Sequence, residues 1–229
     1  MFPLLDEQAP NPLELFQIWL NLPGEGKMVD PHFAMLWHEA IPRHVVTDAA
    51  GRTTTVTVIA GDLPGTGLTA LPPPPRSWAA QADADLAIWT IDMEPGATWV
   101  LPPARPGSNR TLYFFRGREL SIDGGAVPAS TASALRPDRE VTLVAGSERV
   151  ELLLLQGRPI GEPVVQYGPF VMNTRAEIQQ AFADYQQTQF GGWPWPSDDP
   201  VHPRDEGRFA VHADGRKEQP PSGQKAPQP

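Results

Sequence analysis

The sequence predicts an all-β fold of the sandwich or barrel class, with a single helix near its C-terminal end. From residue 16 to residue 157, short apolar runs alternate with clusters of Gly, Pro and Asp, which is typical of strands joined by turns. No apolar pattern of helical period interrupts these runs. After residue 192 the chain is dense in proline and charge and shows no sustained period.

Each strand is predicted from one apolar run. In "LAIWTIDM" the apolar residues Trp89 and Ile91 alternate with Thr90 and Asp92, as expected for a strand with one face toward water. In "VELLLLQG" Leu152 to Leu155 fall on both faces, which predicts a central strand buried on both sides. The predicted strands are 16–22, 33–38, 53–61, 85–93, 98–102, 111–117, 118–124, 140–146 and 150–157.

The helix is predicted from its cap and its apolar stripe. Thr174, with Glu177 three positions later, forms a capping-box pattern, and apolar residues recur at helical spacing from Ile178 to Tyr185. We expect the helix to span about 175–188, to end before Gly191-Gly192 and to dock its stripe on the barrel.

Composition limits the classes of function. The chain has 229 residues, 40% of them hydrophobic, with a net charge of −9, a pI near 5.0 and no cysteine. No Lys/Arg cluster is available to bind a phosphate backbone, so no nucleic-acid partner is expected. No apolar run is long enough to span a membrane, and no signal-peptide pattern is present, so we expect no membrane partner and a cytoplasmic location. Disulfides and thiolate chemistry are excluded.

The candidates for a metal site are three evenly spaced histidines, His32, His38 and His44, together with Glu39. On one extended strand, residues six positions apart lie about 20 Å from each other, so these side chains can share an ion only if the chain folds back. Pro42 makes such a bend possible. Solvated or edge histidines are the favoured interpretation.

Other motifs are interpreted as turns and loops. The segment "GDLPGTG" (61–67) lacks the Gly-Lys-Ser/Thr ending of a phosphate-binding loop and is predicted to be a turn. "PPPPR" (72–76) is predicted to be a rigid loop, with a polyproline ligand as the alternative. Asp83 and Asp85 are interpreted as a solvated start of a strand. No catalytic constellation is predicted from these residues.

Two sequence segments resemble those of a known family. "FQIWLNLP" (16–23), followed by Lys27-Met28 and Ile41-Pro42, and later "GEPVVQYGPFVMNT" (161–174) opening the capped helix, resemble the pirin family of two-barrel cupins. The resemblance covers roughly residues 1–190. It implies two jelly-roll β-barrels of the cupin double-stranded β-helix type, the first binding non-haem iron through three histidines and one glutamate, the second usually without metal.

The resemblance also implies where each part of the chain belongs. Residues 1–30 are expected to be late strands of the first barrel and a linker, 31–173 the C-terminal cupin domain, 174–192 the helix, and 193–229 a proline-rich tail, mostly disordered beyond about Phe209. Trp193 and Trp195 are expected to pin the start of that tail to the barrel. The iron ligands of the family would all precede Met1. No catalytic, cofactor-binding or metal-binding residue is therefore assigned in this chain, which is interpreted as N-terminally truncated.

The second barrel lacks ligands of its own in this comparison. In metal-binding cupins a glycine at the start of one strand precedes a His-x-His pair, and Gly96 is the candidate for that glycine. Pro102 and Ala104 then occupy the positions of the pair, and Ser108 or Asn109 that of the carboxylate. None of these side chains is a good iron ligand, so no cofactor is expected for this chain.

Three hypotheses of function follow. The first is a metal-free cupin half with a structural or interaction role, an unidentified protein partner and no catalysis of its own. The alternative is an iron-dependent dioxygenase of the quercetin 2,3-dioxygenase type, if the full-length product carries Fe(II) in the first barrel. The third is a small-molecule pocket lined by Trp89, Trp99, Tyr113 and Phe115. The alternative for these four aromatic residues is that they belong to an ordinary hydrophobic core.

The segment 16–22 carries a further expectation. As a strand without its barrel it would expose an apolar edge, which predicts self-association through this segment.

Overall fold

The structure, a computed structural model, describes residues 2–221. Its α-helix, α1, spans Arg175–Thr188, and short 3-10 turns occur at Gly24–Gly26, Trp78–Ala80, Gln189–Gly191 and Arg204–Glu206. The strands in chain order are β1 (Leu4–Leu5), β2 (Arg43–Thr47), β3 (Thr53–Ala60), β4 (Asp62–Leu63), β5 (Leu68–Thr69), β6 (Ala87–Met93), β7 (Thr98–Leu101), β8 (Asn109–Arg116), β9 (Leu120–Ile122), β10 (Gly125–Val127), β11 (Thr131–Ala134), β12 (Val141–Ala145), β13 (Val150–Gly157), β14 (Val165–Tyr167), β15 (Phe170–Met172), β16 (His202–Pro203), β17 (Ala210–Val211) and β18 (Lys217–Glu218).

The described chain divides into two units, residues 36–160 and residues 2–35 with 161–221. The first unit is a jelly-roll barrel, as expected. Its six-stranded sheet has the order β11-β8-β13-β6-β3-β2 and its four-stranded sheet the order β10-β9-β12-β7, with every pairing antiparallel. Apolar side chains from both sheets form one core, among them Val56, Trp89, Leu101, Phe114, Leu143 and Leu154. The all-β prediction is confirmed.

The two patterns quoted for β6 and β13 are confirmed. In β6, Trp89 and Ile91 are buried, while Thr90 and Asp92 are partly exposed. In β13, which lies between β8 and β6, the consecutive residues 152–154 are all buried. Each leucine of that run removes enough apolar surface from water to stabilise the fold by about 1.5–3 kcal/mol. This strand therefore contributes to both faces of the sheet.

Two strand predictions are wrong. Residues 16–22 form no strand in the structure, because no described strand pairs with their backbone, and most of their side chains remain exposed. Residues 33–38 also form no strand. This segment ends in a turn in which the N–H groups of Ala40 and Ile41 donate to the carbonyl of Trp37. The edge strand at this side of the sheet is β2, which follows Pro42 and pairs with β3, while β11 forms the other edge.

Three strands of the barrel were not predicted. Strand β2 has the sequence "RHVVT", which is too short to show the alternation of apolar and polar residues that predicts a strand. Strands β10 and β11 have the sequences "GAV" and "TASA", which lack large apolar side chains. These segments become strands because a neighbour is available: β2 pairs with β3, β10 with β9, and β11 with β8. Pairing across the sheet, rather than local preference, decides their conformation.

In the second unit, α1 packs against the hairpin β14–β15. The helix has the predicted bounds, and its capping box is present. Its aromatic side chains contact the hairpin edge to face, with 4.9 Å between the ring centroids of Phe170 and Phe182. The stripe therefore docks on residues of its own unit, where the sequence led us to expect the barrel. In the part of the chain that the structure describes, no helix is long and apolar enough to cross a membrane.

The residues after 192 are folded over part of their length. Trp193 and Trp195 contact each other at a centroid distance of 4.6 Å, and both approach the ring of Phe2, which belongs to the same unit, edge to face at 5.9 Å and 4.8 Å. Strands β17 and β18 form a hairpin within the segment expected to be mostly disordered, and His212 Nε2 lies 2.7 Å from a carboxylate oxygen of Glu218. Residues 222–229, which were also expected to be disordered, lie outside the described residues.

Candidate ligand-binding site

The candidate site is a cavity of about 450 Å³ at one end of the six-stranded sheet of the barrel. Ala87, Trp89 and Gln156, which point to the inner face of the sheet, form its floor. The rim comes from connecting segments, and its residues are Gly61, Asp62, Pro64, Ala79, Ala80, Gln81, Ala82, Asp85, Leu86, Pro103, Ala104 and Arg105. A volume of this size accommodates a small organic molecule.

The segment 77–85 is held in place by a few defined contacts. The hydroxyl of Ser77 caps the 3-10 turn by accepting from the N–H of Ala79 at 3.2 Å. The buried indole of Trp78 donates to the carbonyl of Arg158 at 3.0 Å, and the N–H of Arg158 donates to the carbonyl of Ala84 at 2.7 Å. This wall of the cavity is therefore tied to the end of β13.

A second wall depends on Gly61, between β3 and β4. This residue has φ +78°, and a Cβ at this position would overlap the carbonyl oxygen of Leu86. Only glycine allows the backbone to come so close to the start of β6. The predicted turn at 61–67 is confirmed as part of the hairpin β4–β5, and its first residues line the cavity.

A buried polar row lies beside this floor. Arg110 on β8 pairs with Gln156 on β13, and Gln156 pairs with Ala87 on β6. All three belong to the inward-facing positions of their strands, and adjacent strands lie about 4.8 Å apart. Trp89 is the next inward residue of β6. The row therefore brings together polar side chains from three strands at one end of the barrel.

Arg110 is only 3% exposed, and none of its guanidinium nitrogens has a hydrogen-bond partner among the described residues. The indole nitrogen of Trp89 and the amide oxygen of Gln156 are likewise buried and unpartnered within residues 2–221. Burial lowers the pKa of Arg110 to about 10, and the negative charge of Asp85 acts in the opposite direction. The side chain therefore stays positively charged at neutral pH.

Asp85 supplies a nearby negative charge but is bound to other groups. One of its carboxylate oxygens accepts from the backbone N–H of Arg105 at 2.9 Å and from the hydroxyl of Ser108 at 2.6 Å. Its backbone carbonyl accepts from Nε2 of Gln156 at 3.1 Å. Asp85 is thus a structural acceptor, and its carboxylate is mostly shielded, in contrast to the solvated carboxylate expected from the sequence.

The candidate histidines are not brought together as a metal site. His32 lies in one unit, whereas His38 and His44 lie in the other. His38 contacts the guanidinium of Arg43, a cation. Within residues 2–221 no group of three or more His, Cys, Asp or Glu side chains is arranged to hold a metal ion.

The positions compared with cupin metal ligands are also unsuited to iron. Gly96 has φ +71° in the turn between β6 and β7, as a tight connection requires. Pro102 and Ala104 offer no side-chain ligand, and the hydroxyl of Ser108 already donates to Asp85. A site for iron needs imidazole or carboxylate ligands, which these positions do not provide.

The pocket predicted from four aromatic residues is not formed. Trp89 and Trp99 are buried in the core, but Tyr113 is exposed and Phe115 is half-buried. On β8 the inward residues are Arg110, Leu112 and Phe114, so the odd-numbered residues point away from the interior. The prediction assigned the wrong face of this strand.

Arg110 and Gln156 were missed by the sequence argument. The predicted strand began at residue 111, and for that reason Arg110 was excluded from the strand and its face was not considered. A signal exists: Arg110 is in phase with Leu112 and Phe114, so it is a charged residue at a core-facing position. That phase could be assigned only after the ends of the strand were known.

Comparison with known proteins agrees with this architecture. A family profile described as the pirin C-terminal cupin domain matches residues 88–191. A Pseudomonas aeruginosa protein, provisionally named a quercetin 2,3-dioxygenase, is 33% identical over 178 residues, and the match covers 78% of this chain and 57% of that protein. A pirin-like protein of Solanum lycopersicum is 32% identical over 181 residues, with the same shares of 78% and 57%.

A solved structure extends the comparison to three dimensions. A quercetin 2,3-dioxygenase from Acinetobacter baumannii is similar with a TM-score of 0.62 and 25% identity, over 76% of this chain and 55% of that chain. The present chain thus spans little more than half the length of these relatives. The profile match, the two segments that resemble pirins and the cupin barrel agree with one another: residues 88–191 match the pirin C-terminal cupin domain, and the chain is similar to a pirin-like protein over 78% of its length.

Proposed function

We propose that this chain is a metal-free cupin half with a structural or interaction role and without catalysis of its own. The observation that carries the proposal is the chemistry of the positions compared with cupin metal ligands: Pro102, Ala104, Ser108 and Asn109 include neither imidazole nor carboxylate. A protein partner and a cytoplasmic location belong to the same proposal, and the lack of cysteine is compatible with that compartment.

The alternative is an iron-dependent dioxygenase of the quercetin 2,3-dioxygenase type. It is favoured by the names of two relatives, the Pseudomonas protein and the Acinetobacter structure. In this alternative, the iron would be held by residues of a longer product, in the first barrel that the family resemblance implies.

Metal analysis separates the two functions. The purified chain would be incubated anaerobically with Fe(II), desalted and analysed for iron, and the same sample would be tested for oxygen uptake with quercetin. We expect iron far below one atom per chain and no oxygen uptake. A triple variant, His32→Ala, His38→Ala and His44→Ala, is the control.

Stoichiometric iron in the natural chain that disappears in the triple variant would overturn the proposal. Oxygen uptake that appears only in a longer product, translated from the codons upstream of Met1, would make the dioxygenase the function of that product and leave this chain as its metal-free half.

A further inference from the structure

The polar row beside the cavity floor carries an excess of buried donors. Every N–H group of the Arg110 guanidinium and the indole N–H of Trp89 lack an acceptor within the described residues. Unpaired acceptors are fewer, because only the amide oxygen of Gln156 lacks a donor in this row. A buried polar group without a partner costs free energy, and a buried unpaired charge costs more. The missing partner must therefore be rich in acceptors.

The charges at this end point to an anion. Arg110 is positively charged at neutral pH, and one carboxylate oxygen of Asp85 is already hydrogen-bonded to Arg105 and Ser108. Asp85 makes no hydrogen bond or ion pair with Arg110, although it lies near enough to affect its pKa. The positive charge is thus compensated only in part by the protein.

The shape of the site favours an organic anion. The cavity is about 450 Å³, and its rim combines small apolar residues, among them Pro64, Leu86 and Pro103, with the polar residues Asp62, Gln81, Asp85 and Arg105. The apolar residues of the rim can contact a hydrocarbon group, while the polar row beside the floor supplies donors for a charged group. A guanidinium matches the two oxygens of a carboxylate in a bidentate arrangement.

We propose that the pirin C-terminal cupin barrel of this chain binds a small organic carboxylate, whose charged group lies between Arg110 and Trp89 and whose apolar part lies against the rim. Arg110 supplies the counter-charge and paired donors, and Trp89 supplies one further donor. Gln156 lies between them in the polar row and accepts from a ligand hydroxyl or a bridging water. The proposal holds whether or not the protein binds metal.

Isothermal titration calorimetry tests this proposal on the full chain treated with a chelator. Acetate, succinate and benzoate are the carboxylate probes, benzamide is the neutral counterpart of benzoate, and sulfate represents inorganic oxyanions. We expect saturable binding of at least one carboxylate, no binding of benzamide and weaker binding of sulfate. At about 100 times its Kd, the carboxylate should raise the melting temperature by about 5–10 °C.

Variants assign the binding to this row. Arg110→Met should weaken the carboxylate about 10- to 100-fold, as expected when charge-assisted hydrogen bonds are lost. Arg116→Met is the matched control, because Arg116 lies at the other end of β8 and is exposed. Its affinity should stay within about twofold of the natural chain. Trp89→Phe, which removes the indole donor, should weaken binding by about 10-fold or less.

Three results would overturn the inference: no carboxylate binds, benzamide binds as tightly as benzoate, or Arg110→Met binds as tightly as the natural chain. Sulfate binding as tight as that of the carboxylates would reject the organic class.

If Arg110→Met does not fold, Arg110→Lys replaces it, since it retains the charge but loses the paired donors. Equal affinity of this variant and the natural chain would reject the bidentate role. Because iron is absent throughout, failure here leaves the metal-free proposal unaffected.

Discussion

Asp48 organises the turn between β2 and β3. Its carboxylate accepts hydrogen bonds from the backbone N–H groups of Ala50 at 2.8 Å, Arg52 at 3.0 Å and Thr98 at 3.1 Å, and from Nε of Arg52 at 2.9 Å. These bonds, first among them the one from the Arg52 backbone, lower the pKa of Asp48 from 3.8 to about 2. The turn therefore depends on the charged form of one side chain.

The pH dependence of stability follows from this pKa. Because the pKa is lower in the folded than in the unfolded chain, the stabilisation is fully present above about pH 4 and is lost as the pH falls toward about 2. We expect the melting temperature of Asp48→Asn to fall less than that of the natural chain between about pH 5 and about pH 2. Circular dichroism at a series of pH values measures the difference.

The control for this experiment is Asp30→Asn. Asp30 is exposed, and the described structure shows no hydrogen bond for it. Its variant should follow the natural chain over the same pH range. Parallel curves for Asp48→Asn and the natural chain would show that the hydrogen bonds of this turn do not stabilise the charged form.

Among the elements, α1 depends most directly on a local motif. The hydroxyl of Thr174 accepts from the N–H of Glu177 at 3.2 Å, and the carboxylate of Glu177 accepts from the N–H groups of Thr174 at 2.7 Å and Asn173 at 3.0 Å. These contacts satisfy N–H groups that have no partner within the helix. The first turn is therefore fixed by the residues that precede it.

Thr174→Ala should destabilise the helix by about 1 kcal/mol without unfolding the barrel, because the hydroxyl acceptor of the cap is lost while the packing on β15 remains. Hydrogen exchange of the amides at 175–178 should become faster. Gln179→Ala is the control, since Gln179 is exposed on the same helix, and its exchange should be unchanged. Unchanged exchange in Thr174→Ala would mean that packing alone holds the first turn.

At the scale of the whole molecule, the segment 16–22 presents an apolar surface. Trp19 is 60% exposed, and Ile18 and Leu20 are each 37% exposed. The strand predicted here is not formed, so pairing through a β-edge is no longer the basis for association. Large apolar side chains in one short segment are nevertheless typical of contact surfaces. We therefore propose self-association of two copies of the chain through these side chains.

Sedimentation velocity over a range of concentrations tests self-association. We expect a dimer fraction that rises with concentration, and Trp19→Ser should raise the dissociation constant by about 10-fold or more, because buried tryptophans contribute strongly to interfaces. Val100→Ser, at an exposed position on β7, is the control and should leave the constant unchanged. A monomer at every concentration would refute the proposal.

Much of the fold could be predicted because its signals are local. The bounds of α1 and its cap depend on residues within one or two turns, and the burial of β13 on both faces follows from four consecutive leucines. The failures at 16–22 and 33–38 have a non-local cause. A strand needs a neighbouring backbone, and an apolar run does not indicate whether one is present.

The sequence by itself determined the β architecture, the position of the helix and the absence of histidine and carboxylate residues from positions 102 to 109, because these depend on residue type and short-range period. Only the tertiary structure decided which face of β8 points inward, and hence that Arg110 lies in the core rather than in a connecting loop. It also placed Arg110 beside Gln156 and Trp89, which are distant in the chain. That arrangement depends on the register between three strands, and register is set by pairing across the sheet, which no local pattern encodes.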